Sequence, residues 1–197
     1  MTTYFVAHLL SGDAARYHRA LTAHLSERFR IMPLHERVHP HVTIKNFNAN
    51  RTQIAEVEDV LAHLTATNGP ERIMFEGFGR FGFKTVYLDI PRSREALALA
   101  RSCVASLNEL DWMRPAHHEG EKLHASVARF LTYRKFQRVW RYIRAERPAF
   151  TDTIESLAIM KKEPTDRVWR VHREFRLEGK RPATARCRFP TALGFGN

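Results

Sequence analysis

The reading of the fold turns on VHPHVTIKNF, residues 38–47, and on a counterpart further along, EKLHASVARF, residues 121–130. Each holds a histidine with a hydroxyl residue two places on, His41 with Thr43 and His124 with Ser126. On a β-strand, side chains two apart share a face at a spacing of about 6.6 Å along the chain. An imidazole and a hydroxyl therefore stand side by side in each stretch. Val42 and Ile44 point the other way in the first, as do Ala125 and Val127 in the second, giving each strand an apolar face for a core. Strict alternation adds Lys45 to the face of His41 and Thr43, adds Ala128 to that of His124 and Ser126, and turns Arg129 away from its histidine.

The tripeptide alone discriminates little, because His24-Leu25-Ser26 and His63-Leu64-Thr65 also fit it in a chain with 11 histidines. Those two fall in helical periodicity, where residues two apart are turned about 200° from each other and cannot share a ligand. Only the triplets at 41 and 124, 83 positions apart, lie in alternating patterns. A lone strand histidine is usually a hydrogen-bonded structural residue, but two equivalent strands in equivalent surroundings point to a shared site.

Outward from the triplets, TYFVAHLL (3–10) is a β-rich run, and Ser11 precedes a helix predicted over about 12–29 with Tyr17, Leu21, Leu25 and Phe29 on one stripe. Ile54, Val57, Leu61 and Leu64 predict a helix over 52–64 that AsnGlyPro at 68–70 ends. Strands are predicted near 72–80 and 84–90 across GFGRFGF, a helix from Ser93 through Leu107, and the second triplet strand near 122–130. A helix through Phe136, Val139, Trp140 and Ile143 follows, then strands near 154–160 and 168–177. Each half thus places a helix before its triplet strand, a helix after it, and paired strands, a loose internal duplication rather than a solenoid.

Composition bounds the rest. At 197 residues, with 44% hydrophobic and 27% charged, the chain suits one well-buried domain, and no apolar run approaches a membrane span. The start MTTYFVAHLL reads as a first strand rather than a signal peptide. Cys103 and Cys187, far apart and without metal-type spacing, suit a reducing cytoplasm. The net charge of +11, carried mainly by arginine, suits a polyanionic partner or a solvated basic surface. Residues 1–178 are expected to form a single domain, and 179–197 a basic, poorly structured tail.

Pro40-His41-Val42-Thr43-Ile44 and His124-Ala125-Ser126-Val127-Ala128 resemble the paired motifs of the two-histidine (2H) phosphoesterases, which include 2'-5' RNA ligase-like proteins and RNA 2',3'-cyclic phosphodiesterases. The likeness in order and spacing runs from about residue 3 to 177, with Ser126 standing where threonine is common. It implies an α+β bilobal fold, two pseudo-duplicated lobes of antiparallel sheet with outer helices around a central groove. It further implies a cytoplasmic, monomeric hydrolase that opens 2',3'-cyclic phosphates on RNA ends or nucleotides, with 2'-5' RNA ligation as the reverse direction.

In that reading one of His41 and His124 is the general base and the other the general acid, with either assignment open, and Thr43 and Ser126 steady the phosphoryl oxygens. No cofactor, metal or membrane partner is required. His39 and His41 form a His-x-His pair, but no carboxylate or third histidine follows at familiar metal spacing. Lys45, Arg129, Phe47 and Tyr133 are candidates for substrate contact: Lys45 by parity, Arg129 by the resemblance, the two aromatics as stacking surfaces that equally suit core or rim. His117 and His118 precede the second triplet in a polar loop and either line the entrance or are solvated. Three other readings stand beside this one: an enzyme acting on another small cyclic or 2'-5' linked nucleotide, a module that binds a nucleotide or RNA end without turnover, and a basic RNA-coating protein with incidental triplets.

Overall fold

The computed structural model describes residues 1–91, 93–115 and 120–179. The expected tail beyond Gly179, with Cys187, and the loop histidines His117 and His118 lie outside the described residues. In chain order the elements are β1 (Thr2–Leu9), α1 (Gly12–Phe29), α2 (Leu34–Arg37), β2 (His41–Ala49), α3 (Arg51–Thr67), β3 (Glu71–Glu76), β4 (Phe78–Phe81) and β5 (Thr85–Asp89). There follow α4 (Arg94–Asn108), β6 (His124–Ala128), α5 (Tyr133–Ile143), β7 (Ala149–Ile154), β8 (Ser156–Lys162) and β9 (Arg170–Arg176). The fold is α+β and bilobal, with antiparallel sheets on either side of a groove.

One lobe is a four-stranded sheet in the order β2-β1-β8-β9. The inner strand β1 explains why TYFVAHLL shows no polar alternation: both of its faces are covered. Tyr4 and Val6 enter the main core, while Phe5 and Ala7 form a second buried cluster with Ala158 and Met160 on the groove side. A strand buried on both faces has no polar alternation to show. Helix α3 covers the core face, touching β2, β8 and β9. Its start is fixed by a capping box in which the Asn50 side chain accepts from the Gln53 amide and the Gln53 side chain accepts from the Asn50 amide.

The other lobe combines a β4-β5-β6 sheet with a β3-β7 pair. Two differences from the sequence expectation arise here. The strand expected over 72–80 breaks at Gly77, whose φ of +69° ends β3 and lets β4 turn to a different partner. Ahead of the strand expected at 154–160 lies β7, whose AFTDTI mixes polar and apolar residues too evenly to stand out.

The sequence halves also do not correspond to the lobes. Helix α1, from the first half, packs against β6 and β7, whereas β8 and β9, from the end of the chain, complete the first sheet. This exchange carries residues of α1 to the second triplet strand. The buried stripe of α1 is Ala14, His18, Thr22, Leu25 and Phe29, rotated from the expected one, with Tyr17 and Leu21 only partly covered. His18 and Thr22 tolerate burial because each makes a hydrogen bond: the Thr22 hydroxyl donates to the His18 carbonyl at 2.9 Å, and the His18 ring bonds to β6.

Gly79 on β4 matters by what it lacks. A Cβ there would lie 2.3 Å from the ring of Tyr87, which crosses directly over it and leans on His124 with 5.0 Å between ring centroids. Gly79→Ala must displace that ring, and a destabilisation of about 1–3 kcal/mol is expected in urea unfolding. An unchanged unfolding midpoint would show that the Tyr87 ring is not held where it lies.

Candidate active site

The triplet strands β2 and β6 belong to different sheets and pack against each other across the lobes. Both are bulged at the same place. In the β1–β2 ladder Val6 opposes Lys45 and Ala7 opposes Thr43, leaving Ile44 as the extra residue. In the β5–β6 ladder Val86 opposes Ala128 and Tyr87 opposes Ser126, leaving Val127 extra. A bulge inserts one residue and so inverts the face of everything after it.

That inversion corrects two sequence expectations. Lys45 does not reach the groove; it is 0% exposed, and its ammonium donates to the Arg114 carbonyl at 3.4 Å. Asn46 takes the groove position instead. In β6 the equivalent shift sends Ala128 into the core and brings Arg129, which strict alternation turned away, to the groove wall. Lys45 matches Ala128 in position, and Asn46 matches Arg129.

The rings of His41 and His124 are oriented by the same device. Nδ1 of His41 lies 2.6 Å from the His39 carbonyl, and Nδ1 of His124 lies 3.2 Å from the Lys122 carbonyl. A carbonyl only accepts, so each Nδ1 carries the hydrogen and each Nε2 keeps its lone pair. Aromatic rings brace both: Phe5 sits 4.9 Å from His41, and Phe81 and Tyr87 sit 4.8 and 5.0 Å from His124.

Beside them lies a cavity of about 520 Å³ whose wall includes Phe5, His18, His41, Thr43, Ser126 and Arg129. His124 stands next to this lining, two residues before Ser126, close enough for its charge and that of Arg129 to act on His41. The outer wall carries Arg37, Lys162, Arg167 and Trp169 against one carboxylate, Asp166. The cavity is thus shaped for an anion with an apolar part. Among the described residues, no group of three or more His, Cys, Asp or Glu side chains gathers as a metal ion would need.

Burial is the main reason that the His41 pKa is lowered to about 4; the charges of His18, Arg129 and His124 push the same way, against the bond to the His39 carbonyl. His124 is lowered too, by burial first and then by Arg129 and Lys122, with the Lys122 carbonyl and the Asp89 carboxylate opposing. Both imidazoles are therefore neutral at neutral pH.

His18 is the site residue that the sequence reading missed. It is 3% exposed, lines the cavity, and its Nε2–H donates to the Ser126 carbonyl at 2.9 Å, beside the β6 bulge. Its Nδ1 has no hydrogen-bond partner among the described residues, and burial lowers its pKa to about 4. The signal available in sequence was a histidine at i+4 between Ala14 and Thr22 on the buried stripe, which periodicity alone does not tie to a residue 108 positions on. Trp169 and Phe130 are further cavity residues not foreseen.

The two aromatic candidates fall elsewhere. Phe47 follows the bulge into the core, 8% exposed and stacked on Tyr4 at 5.7 Å. Tyr133 is exposed on the first turn of α5, edge-on to Phe83, and does not line the cavity. Cys103 is a buried thiol pushed up to about 12, which leaves it unreactive.

A neutral buried imidazole makes stability depend on acid. Above the unfolded pKa near 6.5 neither state binds a proton; below it the unfolded chain takes one that the fold refuses until about pH 4 is reached. His18 alone accounts for about 3 kcal/mol lost over that window, and His41 adds to the loss in the same direction. His18→Leu should cost about 1–3 kcal/mol at pH 7.5, because the Ser126 carbonyl loses its donor, yet show a clearly smaller further loss between pH 6.5 and 4. Denaturant midpoints across that range measure both, and an undiminished acid dependence would contradict the neutral, buried state of this ring.

Comparison with known proteins agrees with this architecture. The family model described as 2'-5' RNA ligase superfamily matches residues 12–166. Among solved structures, TT0787 of Thermus thermophilus superposes with a TM-score of 0.63 at 20% identity, covering 91% of this chain and 100% of that one. E. coli LigT complexed with 3'-AMP gives 0.60 at 13% identity, covering 89% and 98%. A structure described as a phosphoesterase gives 0.59 at 13%, covering 90% and 99%. A search of curated protein sequences finds no match. Two bulged His-x-Thr/Ser strands meeting across two lobes, in a chain that the family model covers over most of its length, place this protein in the 2'-5' RNA ligase superfamily, with the fold of the LigT-like 2H phosphoesterases.

Proposed function

We propose that this protein is a metal-independent phosphodiesterase that hydrolyses 2',3'-cyclic phosphates, on RNA ends or nucleotides, to phosphomonoesters. The observation that carries the reading is the pair of neighbouring imidazoles, each with Nδ1 tied to the carbonyl two residues earlier and Nε2 left as a base. Complexes of E. coli LigT with 3'-AMP and with NADP+ support a nucleotide as the occupant of such a groove. Basic side chains on the cavity wall support an anionic ligand.

The chemistry follows from two imidazoles and two hydroxyls around one phosphorus. His41, neutral and held near pKa 4, takes a proton from water as its oxygen attacks. The bond from phosphorus to one ribose oxygen breaks, and His124, protonated, delivers a proton to that oxygen. His124 takes the acid role because the Asp89 carboxylate favours its charged form, whereas the charges acting on His41 are all cationic. A bound phosphate anion favours protonation further. Thr43 and Ser126 donate to the nonbridging oxygens, and Arg129 supplies the counter-charge as negative charge builds there. With a 5'-hydroxyl in place of water and the 3'-oxygen as the leaving group that His124 protonates, the same steps form a 2'-5' linkage. The protein works in this scheme as a monomer without cofactor.

His41→Ala and His124→Ala should each lose at least about 10²-fold in kcat/KM on 2',3'-cyclic mononucleotides, and wild-type turnover should survive EDTA. Loss of activity in the chelator would overturn metal independence. Tight nucleotide binding with no turnover by the wild type would instead favour a non-catalytic binding module.

The pH dependence has a defined sign. In the free protein the base is available above about pH 4 and the acid only below the lowered pKa of His124. The bell in kcat/KM should therefore peak below pH 6.5, while kcat, which reports the phosphate-bound complex, should extend to higher pH. A kcat/KM optimum above pH 8 would contradict this assignment.

A further inference from the structure

Beyond the groove, the exposed face shared by α1 and α5 carries features that neither the fold nor the two-histidine chemistry requires. Helix α5 holds four basic residues, Arg134, Lys135, Arg138 and Arg141, and no acidic one. Arg28, Arg138 and Arg141 surround an open pocket with Phe29 and Tyr142. None of these three guanidiniums pairs with a carboxylate among the described residues.

Two of them are held in place by aromatic rings. Arg28 lies over Tyr142 at 4.8 Å and over Phe29 at 5.8 Å, and Arg138 lies over the Phe29 ring at 5.6 Å. His24 stacks on Tyr142 and meets its hydroxyl at 2.9 Å. Guanidiniums docked on rings have already lost much of their rotamer freedom, so less is lost when they grip an anion.

Phe130 links this face to the groove. It lines the cavity, is 73% exposed, and holds φ at +55°, a left-handed conformation that is strained for a bulky side chain. The Arg129 guanidinium lies over its ring at 5.1 Å. An exposed aromatic in a costly backbone conformation, beside the groove and just before the α5 cap at Thr132, is positioned as a stacking surface. On the α1 side, Met32 lines the cavity only three residues after Phe29, a reach of at most about 11 Å. Lys135 closes the gap between the two segments by donating to the Arg30 carbonyl.

We infer that the Phe130 ring and the Arg28–Arg138–Arg141 cluster form an extended subsite for the nucleotides that precede a cyclic-phosphate end, so that the substrate is a single-stranded RNA oligonucleotide rather than a mononucleotide. The inference rests on the proposed activity of the groove for its catalytic readout, but not for its binding readout. A cyclic phosphate terminates the 3' end, so the chain leaves the groove in one direction only. Phe130 stacks the adjacent base, and the three guanidiniums take the phosphodiesters beyond it.

The test compares a 2',3'-cyclic mononucleotide with a cyclic-phosphate-ended octanucleotide, in turnover and in binding of a fluorescent version of the latter. Arg28→Ala/Arg138→Ala/Arg141→Ala should raise KM and Kd for the octanucleotide at least tenfold and leave mononucleotide kcat/KM unchanged. The slope of log affinity against log salt should flatten by about 2, from three contacts at roughly 0.7 each on single strands. Phe130→Asn, which keeps a residue tolerant of the left-handed backbone, should also weaken octanucleotide binding. Unaltered octanucleotide affinity and salt slope in the triple variant would overturn the subsite, whatever the catalytic result. Absence of turnover on both substrates, with the binding differences intact, would overturn the proposed hydrolysis and leave the subsite standing.

Discussion

A single extra residue in each triplet strand governs what the groove presents. Ile44 and Val127 each sit unpaired in their ladder, immediately after the hydroxyl residue. Up to that point the strand alternates a groove-facing imidazole and hydroxyl with core-facing apolar side chains. Past it the faces exchange, so two consecutive residues enter the core and the third returns to the groove. Both Asn46 and Arg129 owe their place at the cavity to this, and Lys45 owes its burial to it. The sterics of the bulge thus decide which of these cations lines the cavity.

The electrostatics of the site follow from where that geometry puts it. Packing the triplet strands between two lobes takes the imidazoles away from water, and burial is the largest influence on His41, His124 and His18 alike. A guanidinium nearby reinforces the preference of the first two for the neutral form. Three imidazoles kept neutral beside a cationic wall leave the groove with fixed positive charge, which an incoming phosphate complements, and with free imidazole lone pairs, which can take up a proton. The aromatic braces around each histidine, and Gly79 beneath Tyr87, keep those rings from turning.

The exchange of elements between lobes joins the fold to the site. Because α1 leaves the sheet that holds β1 and lies on the opposite lobe, His18 reaches the Ser126 carbonyl. The same crossing sets Arg28 and Phe29 against α5, whose polar face carries the remaining cations. The core beneath is shared, with residues of both halves in one cluster. Neither lobe is assembled from one half of the chain.

Periodicity in the sequence determined most of the elements by itself: the apolar stripe of α3, the run of β1, the helix from Ser93, and the alternating strands around His41 and His124, because those patterns arise from local geometry. It separated the two strand triplets from the two helical ones for the same reason. What it did not determine was any consequence of pairing. A bulge exists only relative to a partner strand, so the positions of Lys45 and Arg129 were misassigned by strict alternation. The break between β3 and β4, the strand β7 and the bond from His18 to Ser126 likewise depend on neighbours distant in the chain. Local chemistry wrote the motifs; long-range packing decided which side chains stand beside them.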